Sequence, residues 1–387
     1  MTTAFEFATA QRVIFGTGSA RQQAPDIVIG LGRRPLVVTG RDPARAEWLV
    51  RALEERGHDC RLLCVDGEPD IAFAAGGADL ARRRGHDVVI AIGGGSAIDA
   101  AKAIAALATN GGDPLQYLEV VGQGLPLAAP PLPFVAMPTT AGTGSEVTRN
   151  AVLLVPSARM KVSLRSPLML PRVAIVDPEL TRGLPPAITA STGLDALTQL
   201  IEPFVSVRAN AMTDALCREG IPRAARSLRR ACAHPHDAEA REDLAIASLF
   251  GGHALANAGL GAVHGCAAPI GGMFPAPHGA VCAALLPHVM RGNLRALEAK
   301  AAGSPVLSRF DELGRLLTAS PGARAHEALA WLDAIVADLA IPRLSAYGIG
   351  AGDIAAICEQ AMRSSSMKGN PVALTVDELA EVVTAAL

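Results

Sequence analysis

The sequence predicts a two-domain chain, an α/β domain built on a parallel sheet followed by an all-α domain. Three observations carry that prediction. Its 387 residues exceed one ordinary domain at about 150 residues each. Short apolar runs alternate with helical stretches through the first half, the pattern of βαβ units. From about Leu184 the texture changes to long Ala/Leu-rich segments at helical spacing. The boundary falls where GLPP (183–186) stops the preceding element, which gives domains 1–184 and 185–387.

Taken in order, PLVVT (35–39) is a β-type run and AEWLVRALEERG (46–57) a helix closed by Gly57. CRLLCV (60–65) is again strand-like, and AFAAGGADLARRRG (72–85) is helical despite two glycines. DVVIAIGGG (87–95) is a buried strand running into a glycine turn, and SAIDAAKAIAALATN (96–110) is a strong helix. FVAMP (134–138), AVLLV (151–155) and VAIV (173–176) are further short apolar runs. Helices are expected over 188–204, 208–230, 238–258, 280–302, 325–339 and 352–363.

Composition narrows the function classes. Half of the residues are hydrophobic, and 35 basic residues nearly cancel 37 acidic ones without a long block of one sign. Neither a dedicated nucleic-acid surface nor a polybasic membrane anchor fits that balance. Pro, Gly or charge interrupts every stretch approaching the roughly 18 apolar residues of a membrane span. The opening MTTAFEFATAQRVIFG lacks a basic region and carries Glu6 in its apolar part, unlike a signal peptide. Seven cysteines without a CxxC pair are expected as reduced core thiols, so the chain is expected in the cytoplasm.

Three constellations carry chemistry. Gly93, Gly94, Gly95 and Ser96 follow a strand and open a helix, leaving amides unobstructed at a helix N-terminus, which suits a diphosphate. A bare GGGS also serves as a tight βα turn, and Asp99 with Lys102 one turn on is by itself expected on a solvated helix face. The second, Pro138 to Glu146, gathers hydroxyls on Thr139, Thr140, Thr143 and Ser145 beside two glycines, and suits the polar edge of a ribose or carboxamide. In the third, Asp195 and Gln199 are four apart on one helix, and His264 and His278 follow. Together they offer a carboxylate, a neutral oxygen and two imidazoles, a divalent-metal set with room for a substrate oxygen.

In this order the constellations resemble the iron-dependent (group III) alcohol dehydrogenases, relatives of glycerol dehydrogenase and dehydroquinate synthase. The matching pieces are GGGSAIDAAK (93–102), PTTAGTGSEVT (138–148), the DPEL segment ending at 180, TGLDALTQLIEPFVS (192–206), NAGLGAVHG (257–265), FPAPHGAVCAALLPHVM (274–290) and KGNPVALTVDEL (368–379). They span nearly the whole chain. The resemblance implies a Rossmann-like dinucleotide-binding domain, a helical metal-binding domain, and an active site in the cleft between them. It implies NAD(P)-linked interconversion of an alcohol and an aldehyde or ketone, on a small-molecule substrate, by a homodimer. The diphosphate would lie on Gly93, Gly94, Gly95 and Ser96, with Asp99 following. Thr139, Thr140, Thr143 and Ser145 would run along the cofactor, and Lys161 matches a lysine that reaches the ribose. Asp195, His264 and His278 would serve catalysis by holding, with Gln199, one divalent metal, Fe(II) or Zn(II).

Two positions depart from the family. Residue 199 is usually histidine and is glutamine here, a weaker and harder ligand, so Fe(II), Zn(II) and Mn(II) all suit the set. Four residues after His264 the family commonly has another histidine, and this chain has Ala268. At the end of the second strand, NAD-preferring relatives often carry an aspartate where this chain has Gly40, with Arg41 and Arg45 nearby. The missing carboxylate tilts the expectation from NAD toward NADP. Apolar or small residues at Leu255, Cys266 and Phe274 point to a modest, uncharged carbonyl compound. The alternatives are a glycerol-dehydrogenase-like polyol or hydroxy-acid dehydrogenase, a maleylacetate-type reductase, and a catalytically silent nucleotide-binding paralogue.

Overall fold

The computed structural model describes residues 4–387. The first half forms β1 (Val13–Phe15), α1 (Ser19–Leu31), β2 (Pro35–Thr39), α2 (Ala44–Glu54), β3 (Arg61–Cys64), α3 (Ile71–Arg84), β4 (Val88–Gly93) and α4 (Gly95–Thr109). It continues through β5 (Phe134–Pro138), β6 (Asn150–Val155), β7 (Met160–Arg165) and β8 (Val173–Val176). Six strands make an all-parallel sheet in the order β1-β8-β5-β4-β2-β3. Alternation along the strands explains the helices on both faces. Val37, Ile90 and Ile92 join one core with Ala24, Val28, Leu49 and Leu53 of α1 and α2. Leu36, Val38, Val89 and Ala91 turn the other way, onto Ala81 of α3 and Ala97, Ala101 and Ile104 of α4.

AVLLV does not extend that sheet. As part of β6 it pairs antiparallel with β7, a strand the sequence reading did not anticipate. Ala151, Leu153 and Val155 are buried alternately against Ala74, Ala78, Ala103 and Ala106 of α3 and α4, while Val152 and Leu154 are only half-buried. One covered face is the mark of a hairpin laid over helices. β1 and α1 were also unanticipated, since three residues are too few for a periodic signal and Pro25 interrupts the helix.

The second half is helical: α5 (Pro186–Val205), α6 (Ala211–Ala233), α7 (Ala238–Ala258), α8 (Ala262–Met273), α9 (His278–Lys300), α10 (Val306–Thr318), α11 (Ala325–Asp338), α12 (Ile354–Arg363) and α13 (Val376–Ala385). Its core centres on α5, where Leu194, Leu197, Ile201 and Phe204 are fully buried, with Ile221, Leu228, Val281 and Leu285 around them. Helix α8 escaped the periodicity because Gly265, Pro269, Gly271 and Gly272 break its pattern.

By its contacts the chain forms two compact units, Thr9–Thr140 with Gly144–Arg182, and Gly183–Leu387 with residues up to Ala8 and Ala141–Thr143. Two short pieces of the first half therefore belong with the helices. Asn257 of α7 accepts from Ala8 N (2.7 Å) and donates to Ala8 O (3.0 Å), and the Phe7 ring stacks on His253 at 6.0 Å. Among the described residues no single helix is long and apolar enough to cross a membrane, and the pair that passes together, α7 with α8, is bent by 99°.

Candidate nucleotide loop and metal centre

In the α/β unit, the chain leaves β2 for β3 on one side and β4 for β5 on the other. Ligands of such sheets bind outside the carboxyl ends of the strands where the winding reverses. Gly40 follows β2 there, and Gly94 is the N-cap of α4 directly after β4. No side chain caps the first turn of α4, so its amides remain directed outward at the positive end of the helix. The glycines are required by close approach. A Cβ at Gly93 would stand 2.5 Å from that of Ala97, and one at Gly94 would stand 3.3 Å from Thr140 Oγ1. The first threonine loop thus lies directly against the glycine turn, and Thr139 N donates to Gly93 O (2.9 Å).

Asp99 and Lys102 are not on a solvated face. Eleven of the fifteen residues of α4 are buried, these two among them. Lys102 Nζ is surrounded by Ser145 O (2.8 Å), Thr148 O and Thr148 Oγ1 (each 3.0 Å) and Asn150 O (2.8 Å). It therefore ties down the end of the threonine loop. Burial pulls its ammonium down to about 8 although Asp99 and Glu146 oppose the shift. Asp99 accepts from Val152 N of β6 at 3.1 Å, which gives it a task in the hairpin. Lys161 is likewise buried, 3.1 Å from Glu68 Oε1. Within the loop, Thr139 and Ser145 are buried and Thr140 is half-buried, while the half-buried Thr143 counts with the helical unit, where Gly142 packs against Thr192.

The helical unit brings Asp195, Gln199, His264 and His278 together from three helices. Asp195 and Gln199 share a face of α5, and Gln199 Nε2 donates to Asp195 Oδ2 (3.0 Å). His264 Nε2 lies 3.4 Å from Asp195 Oδ1, and His278 Nε2 lies 3.7 Å from the same oxygen. A Cβ at Gly279 would stand 2.7 Å from Ser191 O and 3.5 Å from Asp195 Cβ, so the glycine after His278 lets α9 touch α5 at this level. Cys282, one turn after His278, also points into the cluster, its Sγ 3.7 Å from His278 Nε2.

Sequence reasoning missed Glu202. Its Oε2 accepts from His264 Nδ1 (2.7 Å) and its Oε1 from Val263 N (2.7 Å), so one buried carboxylate caps the start of α8 and fixes the histidine tautomer. Asn370, paired with Asn293, takes the neighbouring amide of Ala262 (3.1 Å). Glu202 is seven residues from Asp195 on α5, so helical periodicity was the available signal. Cys266 is fully buried in the helical core and lines no surface, whereas Leu255 and Phe274 are half-buried.

Three atoms in this cluster, Asp195 Oδ1, Gln199 Oε1 and His264 Nε2, are buried without a hydrogen-bond partner. With Nδ1 facing Glu202, Nε2 of His264 is the ring nitrogen left to face Asp195 Oδ1 and to serve as a ligand atom. Native structures seldom leave several such acceptors together, and a bound divalent cation satisfies them at once, so the residues fit a metal. Electrostatics agree. Burial pushes the Asp195 carboxyl up, but the His278 and His264 imidazoles and the Gln199 amide hold it below its ordinary value. Burial pushes His278 down, and the Cys282 sulfur and Asp195 carboxylate more than reverse this, to about 9. The pocket attracts positive charge.

Known proteins are similar to this chain over nearly its whole length. The family model described as iron-containing alcohol dehydrogenase matches residues 10–178, and that of the Fe-containing alcohol dehydrogenase family, C-terminal, matches residues 189–387. Alcohol dehydrogenase 4 of Saccharomyces cerevisiae (strain YJM789) is 36% identical, with 95% of each chain covered. The 1,3-propanediol dehydrogenase of Klebsiella pneumoniae is 38% identical over 91% of this chain and 90% of its own. A solved 1,3-propanediol oxidoreductase superposes with a TM-score of 0.88 at 33% identity, covering all of both chains. The sulfoacetaldehyde reductase of Bifidobacterium kashiwanohense, solved in complex with NAD+, superposes at 0.85 with 28% identity over 98% and 97% of the two chains. The chain belongs to the iron-containing alcohol dehydrogenase family, and it is a metal-dependent, NAD(P)-linked oxidoreductase that interconverts an alcohol and its carbonyl compound.

Proposed function

We propose that the metal is held by Asp195, Gln199, His264 and His278, and that the nucleotide lies on Gly40, Gly94, Gly95, Ser96, Thr139, Thr140, Thr143 and Ser145. Asp99 and Lys161 complete that set, and Lys102 ties down the end of the threonine loop. The convergence of three unpartnered buried donors in the helical unit is the observation that carries this reading. We assign residues 1–184 to nucleotide binding and 185–387 to metal binding and catalysis.

When bound, a divalent ion supplies Lewis-acid polarisation of the substrate oxygen. The chain's own residues do the rest. Asp195 and His264 hold their donor atoms in buried positions beside the partly exposed His278, and Glu202 orients the His264 ring through Nδ1. The amides of Gly95 and Ser96 at the start of α4 neutralise the diphosphate. Ala268 stands where the family commonly has a histidine, so the chain supplies no imidazole at that position.

The lean to NADP rests on residue 40. A Cβ there would meet nothing within 4 Å, so the space beside a ribose 2′ position is open and carries no carboxylate. Arg41 is 82% exposed and paired with Asp66, itself 71% exposed. Such a surface pair contributes about 0–1 kcal/mol and yields readily to a 2′-phosphate. The metal is Fe(II) or Zn(II). A small, uncharged alcohol or aldehyde is the proposed substrate class, the class of 1,3-propanediol, for which a 38%-identical relative is named. Seven free thiols support a reducing, cytoplasmic setting. A homodimer is the expected assembly, and light scattering measures it.

His264→Ala and His278→Ala test the metal site. Each removes one imidazole, and even outer partners of ligands cost about 10–100-fold. Both variants are expected to fold, to lose turnover and to lose metal on dialysis. A variant retaining more than about a tenth of wild-type activity with its metal would remove that histidine from the site.

A further inference from the structure

The family resemblance assigns four ligand positions, and Cys282 is at none of them. The geometry gives it a place nonetheless. Cys282 follows His278 by four residues, so α9 carries the pair on one face, as α5 carries Asp195 and Gln199. One donor atom each from Asp195, His264, His278 and Cys282 lies within 4.8 Å of every other. Cys282 is fully buried, and Asp195 Oδ1 and His264 Nε2, which reach the cluster from other helices, are buried without partners. A buried thiol alone is only a small hydrophobe. Cys217, Cys266 and Cys358 are in that position, and none of them joins a donor cluster among the described residues.

We propose that Cys282 Sγ is a metal ligand of this chain, adding a thiolate to the set of Asp195, Gln199, His264 and His278. The assignment rests on the reading that this cluster holds a divalent metal. It accounts for the departure at residue 199: where a neutral amide replaces a strong donor, a stronger and softer one joins the same cluster. Gln199 Nε2 meanwhile holds Asp195 Oδ2 in place. When the sulfur–metal bond forms, the thiol proton leaves to solvent, so metal uptake releases a proton. A sulfur donor also selects among ions. Thiolate suits Zn(II) better than Fe(II) or Mn(II), which points to zinc as the preferred ion.

Cobalt reports the ligand directly, because Co(II) occupies zinc sites and a thiolate on it gives an intense near-ultraviolet charge-transfer band. The full-length protein, stripped of metal, is titrated with Co(II), followed by absorbance and by elemental analysis, beside Cys282→Ala and the nearly isosteric Cys282→Ser. The wild type is expected to take one cobalt per chain and to show the band. Both variants are expected to bind cobalt without it, and to release it to a chelator at least roughly tenfold faster. If Ala at this buried position prevents folding, the Ser variant carries the same comparison. One bound cobalt without the band in the wild type, or a band surviving in either variant, overturns the assignment of Cys282 and leaves the metal site standing. A wild-type chain that takes up neither cobalt, zinc nor iron overturns the metal reading, and the ligand assignment with it.

Discussion

Glu202→Gln is the perturbation that most directly tests how His264, a ligand in the metal site proposed above, is oriented. The side chain keeps its shape and loses its charge and one acceptor. In the wild type its two oxygens each accept a bond at 2.7 Å, from His264 Nδ1 and from Val263 N. A glutamine cannot reproduce both. If its oxygen faces His264, its NH2 meets the Val263 N–H, a buried clash of donors worth about 1–3 kcal/mol. If it turns over, the NH2 faces Nδ1, the imidazole proton moves to Nε2, and the lone pair directed at Asp195 is lost. Either way the metal is weakened, by about 10–100-fold, or about 1.4–2.7 kcal/mol. Competition against a chelator of known affinity measures it, with the melting temperature of the metal-free variant as a control for folding. Metal affinity within about twofold of wild type, in a folded variant, would show that the Glu202 bond does not set the tautomer and would refute the reasoning.

Other predictions follow from single residues. Gly40→Asp places a carboxylate in open space at the end of β2, and is expected to shift the NADPH/NADH preference toward NADH by about 5–150-fold, or 1–3 kcal/mol; an unchanged ratio in steady-state kinetics would place residue 40 away from the ribose. Gln199→His should raise metal affinity by about 1–2 kcal/mol by exchanging an amide oxygen for an imidazole, and coincident activity curves during chelator titration would remove residue 199 from the ligand set. His253 is held down to about 4 by burial, the Leu249 backbone opposing the shift only weakly. Because the unfolded chain protonates near 6.5 and the native histidine does not, stability is full above pH 6.5 and falls as the pH drops toward 4. Urea unfolding should show about 2 kcal/mol lost between pH 7 and pH 5, largely abolished in His253→Gln, and equal losses in both proteins would contradict the assignment.

The strands and helices that the sequence announces are those whose burial writes an unbroken or regular pattern, although α10, buried along Phe310, Leu313 and Leu317, was not among the helices expected. FVAMP and VAIV match β5 and β8 residue for residue, because a strand covered on both sides is an uninterrupted apolar run between turns. The same criterion was blind to which sheet a run joins, and AVLLV went to the hairpin. Helix α13 was missed although Thr375 and Glu378 form a capping box, a local signal with its own physical cause. The expectation of core thiols failed at Cys64, exposed at the end of the edge strand β3, where one side of the chain has no neighbour to cover it.

At the metal centre the limit of the sequence is different. Asp195 and Gln199 were legible as a pair because four residues make one turn, and the same rule extends to Glu202 on α5 and from His278 to Cys282 on α9. What no spacing states is that α5, α8 and α9 meet at one level. That is fixed by backbone approaches which only glycine permits. Gly279 brings α9 onto the backbone at Ser191, and a Cβ at Gly261 would stand 2.8 Å from Glu202 Oε1 and 2.9 Å from Asn370 Oδ1, where α8 begins. Glu202 and Asn370 cap α8 from other segments, and the cap is also what turns His264 inward. Helix packing and ligand orientation are therefore one set of contacts. A chain can exchange the donor at 199, as this one has, without disturbing the approach of the three helices, because Gln199 takes no part in those glycine contacts beyond the packing of its Cβ at Gly251.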